Sequence, residues 1–128
     1  MAELTFITEN GMFHSAARCT FPDGVEWYGF KPMAHRTPAG AGQVDRSDRS
    51  ALLKHYVSFD VADAVLRAAV KKVAAAYAPK TYVLSMCDCV SFTAEIAREV
   101  GLKVPLVNFT PYGFNEVLAF WNTYKSKA

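Results

Sequence analysis

Two kinds of apolar pattern divide this chain. Short β-prone runs fill most of its first sixty residues, and apolar spacings of three and four dominate afterwards. Leu4-Thr5-Phe6-Ile7 is a strand candidate closed by Glu9-Asn10-Gly11, where Asn-Gly marks a turn. Phe13 to Phe21 and Val25 to Phe30 flank Pro22-Asp23-Gly24, which predicts a β-hairpin: Pro pre-sets φ, Asp accepts local backbone hydrogen bonds, and Gly supplies a left-handed residue. Pairing Phe21 with Val25 sets Cys19 opposite Trp27, Ala17 opposite Gly29, Arg18 opposite Tyr28 and His14 opposite Pro32. Residues 32 to 50, with Pro32, Pro38, Gly40 and Gly42, read as a long loop. Tyr56, Val57, Phe59 and Val61 make His55 to Val61 a third core strand.

Beyond it, Asp60 or Asp63 can cap a helix reaching about Tyr77, with Leu66, Val70, Val73 and Tyr77 on one face. Tyr82-Val83-Leu84 is a brief apolar run. A second helix starts near Cys89 and runs to Val100, with Phe92, Ile96 and Val100 on one stripe, Arg98 in its last turn and Gly101 at C′. A last amphipathic helix, roughly Tyr112 to Tyr124, carries Phe114, Val117, Leu118 and Trp121. The expected fold class is α+β, an antiparallel sheet packed against helices, in a single domain over residues 1–128.

Composition changes this picture little. Hydrophobic residues are 52% and charged residues 20% of the 128, typical of a globular domain. The net charge is +2 with no run of five like charges, which argues against a dedicated nucleic-acid binder. No basic n-region with a long apolar stretch follows Met1, so no Sec signal is expected, and no window suits a transmembrane segment. Three cysteines are too few for a disulfide scaffold. The chain is expected to be synthesised in a reducing cytoplasm, with any export using a dedicated route.

The sharpest chemical feature is Cys87-Asp88-Cys89-Val90-Ser91-Phe92. Asp88 as N-cap makes Cys89 the first helical residue, where the dipole and free backbone N–H groups favour a thiolate and can depress its pKa below about 8.5. Cys89 precedes Phe92 by three, so its sulfur should face the sheet. His14 on the first hairpin strand can serve as its base, the Cys–His arrangement for attack on an acyl carbon. The helix N–H groups can form part of an oxyanion hole.

These residues carry a resemblance. Phe13-His14-Ser15-Ala16, the strand ending Tyr28-Gly29-Phe30-Lys31-Pro32, then Tyr82 and Asp88-Cys89-Val90-Ser91-Phe92, and finally Val100 to Pro105 resemble the permuted NlpC-type papain-like cysteine hydrolases. In these, as in the lecithin retinol acyltransferase-like branch, the His strand precedes the Cys helix. The resemblance spans about residues 11 to 105. It implies a circularly permuted papain-like fold and a cysteine amidase or peptidase with Cys89 as nucleophile and His14 as base. By the same resemblance the leading substrate is a peptidoglycan peptide, an antibacterial effector role comes into view, and a cognate inhibitor (immunity) protein becomes a candidate partner. A lipid acyl hydrolase or acyltransferase is the alternative within the superfamily; a non-catalytic binding module is the alternative outside it. Asp88 stands where relatives usually carry Asn. For the residue orienting the imidazole, Glu26 pairs near the turn in the derived register, and His35 is the better-placed candidate.

The plainer readings stand beside these. A Cys at a helix start is commonly a packing residue. His14 alone reads as a strand residue bonded to a carbonyl, and His55 as a strand polar residue. Cys87-X-Cys89 lacks partners at zinc-finger spacing, so no metal and no cofactor are expected. Cys87 reads as a redox partner or a buried thiol. Trp27, Tyr28 and Phe30 read as core or cleft wall, and Asp45 to Arg49 as a solvated loop that beside a cleft would gate or read substrate.

Overall fold

Alternation along the strands decides the architecture, because successive side chains of a strand leave on opposite faces. In a computed structural model describing residues 1–9, 14–33, 39–83, 88–104 and 110–128, the described strands are β1 (Ala2–Glu9), β2 (Ser15–Phe21), β3 (Gly24–Pro32), β4 (Ala39–Asp45), β5 (Leu53–Val61), β6 (Thr81–Val83) and β7 (Ser126–Lys127). The described helices are α1 (Asp63–Tyr77), α2 (Cys89–Glu99) and α3 (Pro111–Trp121). The strands form one seven-stranded sheet in the order β6-β4-β3-β2-β1-β5-β7, every pairing antiparallel. The molecule is thus α+β, as the pattern implied.

One face of the sheet is apolar and covered by the helices. Leu4 and Phe6 of β1, Ala17, Cys19 and Phe21 of β2, Tyr28 and Phe30 of β3, and Val57, Phe59 and Val61 of β5 share a buried cluster with Leu66, Val70, Val73 and Tyr77 of α1, Phe92 and Ile96 of α2, and Phe114 and Leu118 of α3. The α1 stripe is the one the spacing predicts. Phe30 sits at its centre, packed against Tyr77, Tyr82 and Phe92 with ring centroids 5.1, 5.7 and 6.2 Å away. Burial of such rings supplies much of the driving force for folding. The opposite face carries only a small apolar cluster, Ile7, Ala16 and Trp27, flanked by Leu53 and Tyr56.

Several sequence expectations change here. The β2–β3 hairpin closes one residue earlier than derived: Phe21 pairs with Gly24, so Cys19 faces Glu26, Arg18 faces Trp27, Ala17 faces Tyr28 and Ala16 faces Gly29. A two-residue turn, Pro22-Asp23, replaces the three-residue loop, and the β2–β3 pairing ends at Ala16–Gly29 before reaching His14 and Pro32. The stretch read as a loop contains β4, which pairs with β3 and β6, and a single 3-10 turn at Ser50–Leu52. Helix α1 begins after Ala62 without a side-chain cap, and Asp63 instead occupies the first turn, where its charge suits the dipole. The last helix ends at Trp121, three residues short of Tyr124.

Elsewhere the local chemistry reads true. Asp88 is the N-cap of α2, its carboxylate accepting from the Val90 and Ser91 N–H groups, while Ser91 Oγ accepts from Asp88 N–H to complete a capping box. Gly101, with φ of +89°, follows the helix in the left-handed conformation a C′ residue needs. No described helix is long and apolar enough to cross a membrane.

Candidate functional site

Cys89 opens α2 and is 3% exposed, its sulfur turned into the helix-side core. Two influences compete there. The backbone N–H groups of Ser15, Val90 and Cys89 itself favour the thiolate, but burial opposes it more strongly, and the Asp88 carboxylate adds to the opposition. The thiol is pushed up to about 12. The expectation of a depressed pKa therefore fails for this conformation, because desolvation outweighs the helix N-terminus. Thr93 tightens the same corner: its hydroxyl meets the Ser15 hydroxyl at 3.0 Å and the Cys89 carbonyl at 3.2 Å.

His14 precedes β2 and is also buried, at 6% exposure. Its ring lies over Gly29, where an added Cβ would stand 3.2 Å from Nε2 and 3.7 Å from the Ala16 Cβ. The imidazole thus occupies the face of Ala16 and Trp27, whereas Cys89 packs with the cluster on the other face. Among the described residues no hydrogen bond joins His14 to Cys89; what links them is Ser15, whose N–H acts on the sulfur and whose chain neighbour is His14. Burial pushes the His14 pKa down, opposed by Glu9 and Asp45 and assisted by Arg49 and Lys31, which favours the neutral ring.

Glu9 is the residue the sequence reading missed. It is 3% exposed, and its Oε2 stands 3.4 Å from His14 Nε2, an electrostatic contact out of line for a hydrogen bond. Arg49 clamps the same carboxylate in a fork, Nη2 donating to Oε1 at 2.6 Å and Nε to Oε2 at 2.8 Å. Asp45 joins from the end of β4, with Arg49 Nη1 at 3.4 Å and Lys31 Nζ at 3.6 Å. Register brings it there: β1 pairs Thr8 with Ser15, so the next step of the ladder sets Glu9 opposite His14, a pairing no local pattern signals.

The remaining candidates part company with this corner. Glu26 lies opposite Cys19 and bonds the Tyr28 hydroxyl, at the far end of the hairpin from His14. His35 and Cys87 lie outside the described residues. Trp27 sits with Ile7 and Ala16, whereas Tyr28 and Phe30 belong to the helix-side core. His55, half-buried on β5, meets the Tyr112 ring of α3 at a tilt of 52°, centroids 4.6 Å apart. Asp45 and Arg49 are not merely solvated, since they brace Glu9. The described residues contain no group of three or more His, Cys, Asp or Glu able to hold a metal. A shallow depression of about 470 Å³ between α3 and the C-terminal segment, lined by Phe120, Trp121 and Tyr124 among others, includes none of the candidate residues. The chain matches no family model, no curated protein and no solved structure at a significant level.

Proposed function

We propose that this chain is a cysteine hydrolase acting on an amide bond, with Cys89 as nucleophile and His14 as general base. The observation that carries the reading is the corner at the start of α2: a capped helix N-terminus, three backbone N–H groups acting on one sulfur, and His14 adjoining the residue that supplies one of them. In the reaction the sulfur–carbon bond forms as the thiol proton passes to His14, a step that needs the two side chains to meet past Ser15, since at rest they lie on opposite faces of the sheet. The imidazolium then protonates the leaving amine, and water hydrolyses the thioester. The N–H groups at the helix start suit the charge that develops on the carbonyl oxygen. Because the resting thiol is protonated, proton transfer accompanies attack rather than preceding it. A peptidoglycan peptide is the leading substrate, on the strength of the resemblance to NlpC-type hydrolases.

Digestion of purified peptidoglycan by wild type, Cys89→Ala and His14→Ala, followed by mass analysis of products, tests this. Turnover lost in both variants with folding retained supports it; a fully active Cys89→Ala protein overturns it. Cleavage of phospholipid alone would move the reading to acyl-lipid chemistry. The burial of the thiol favours a second reading, a binding domain without turnover. Slow alkylation of Cys89, unchanged in His14→Ala, would select that one.

A further inference from the structure

The sheet face opposite the helices holds a buried acid–base cluster that the catalytic reading leaves without a role. Its centre is Glu9, a carboxylate with no exposed side-chain surface, gripped in two places by Arg49. A cluster of this kind is expensive to bury and persists where its geometry is specified from several sides. Here three elements specify it: β1 carries Glu9, β4 ends in Asp45, and the segment after β4 carries Arg49. The group it faces is His14 Nε2, a buried nitrogen with no hydrogen-bond partner among the described residues, 3.4 Å from Glu9 Oε2. Gly29 leaves the space in which the ring lies.

We propose that Glu9, held by Arg49, is the positioning residue for His14: its carboxylate is the acceptor that keeps the ring proton on Nε2 and leaves Nδ1 as the basic nitrogen. A neutral imidazole carries its proton on one nitrogen, and a carboxylate 3.4 Å from Nε2 selects that nitrogen. The contact is long in the resting protein and shortens when the ring gains its second proton, since catalytic hydrogen bonds are commonly loose before substrate binds. Arg49 fixes the carboxylate plane through its two hydrogen bonds. The charged groups acting on the ring are Glu9 from β1, Lys31 from β3, Asp45 from β4 and Arg49, and Glu9 is the largest of the favourable ones. The role assigned to Glu9 rests on His14 being the base; the tautomer does not.

The test is the side-chain nitrogen NMR spectrum of His14 in the uniformly labelled full chain, wild type and Glu9→Gln, beside the pH profile of Cys89 alkylation. The expected result is an Nε2–H tautomer in wild type. In Glu9→Gln the tautomers mix, the His14 pKa falls, and the acid limb of the alkylation profile moves with it. An Nδ1–H tautomer in wild type overturns the proposal, as does a tautomer and profile that Glu9→Gln leaves unchanged. If Glu9→Gln does not fold, the wild-type tautomer alone decides. His14→Ala separates this from the hydrolase reading: alkylation indifferent to that variant removes the base, whatever the tautomer.

Discussion

The two faces of one sheet obey different physics in this protein. The same strands contribute to both, residue by residue in turn. The helix-side face is closed by aromatic rings, with Phe6, Phe30, Phe59, Phe92 and Phe114 all buried. The other face has a three-residue apolar cluster and, at the end where β1 meets β2, a buried carboxylate and imidazole beside a half-buried guanidinium. Apolar contacts are non-directional and tolerate small shifts, whereas the ionic group depends on every partner being present. One face therefore holds the fold together, and the other places polar atoms.

That contrast can be broken by mutation. Phe30→Ala on the helix side is expected to cost the most, about 4 kcal/mol, because a fully buried ring leaves a cavity among Tyr77, Tyr82 and Phe92. Urea unfolding would read it as a lower midpoint at unchanged slope. On the opposite face Arg49→Ala is expected to cost about 3 kcal/mol by stranding the buried Glu9 charge. The same denaturation measured on Arg49→Met/Glu9→Gln should recover much of that loss, since no lone charge remains. If the double variant is as unstable as Arg49→Ala, the cost comes from packing instead.

Titration sharpens the contrast at smaller amplitude. Both described thiols, Cys19 and Cys89, belong to the helix-side core, and burial raises each from 9.0 to about 12. The folded thiols keep their protons while unfolded ones lose them, so their contribution is complete below pH 9 and is lost as pH rises toward 12. The slope approaches about 1.4 kcal/mol per pH unit for each thiol. Stability curves of wild type and a Cys19→Ala/Cys89→Ala variant between pH 8 and 11 should diverge accordingly. The opposite face responds to acid. Burial lowers the His14 pKa from 6.5, so below that value the unfolded chain binds a proton that the folded one refuses. Stability should fall as pH drops through 6.5, and His14→Gln should flatten that part of the curve. An acid limb identical in His14→Gln would assign the effect to other groups.

Much of the architecture could be read from sequence because it rests on local rules. The period-two run of β5, the α1 stripe from Leu66 to Tyr77, the Asp88 capping box and Gly101 at C′ depend on residues within a few positions of one another. The hairpin was also legible, but its register was not, since turns of two and three residues fit the same Pro-Asp-Gly. Strand β4 was hidden because its Gly-rich sequence has no periodicity of its own; pairing with β3 and β6 makes it a strand.

At the candidate site the division is the same. Sequence alone determined which residues are candidates, Cys89 at a helix start and His14 just ahead of the hairpin, because residue type and capping are local properties. Only the tertiary structure decided how buried the thiol is, which face the imidazole takes and that Glu9 and Arg49 accompany it. Desolvation depends on everything packed around a group, and a cross-strand partner depends on register, so neither quantity is written in any short stretch of the chain.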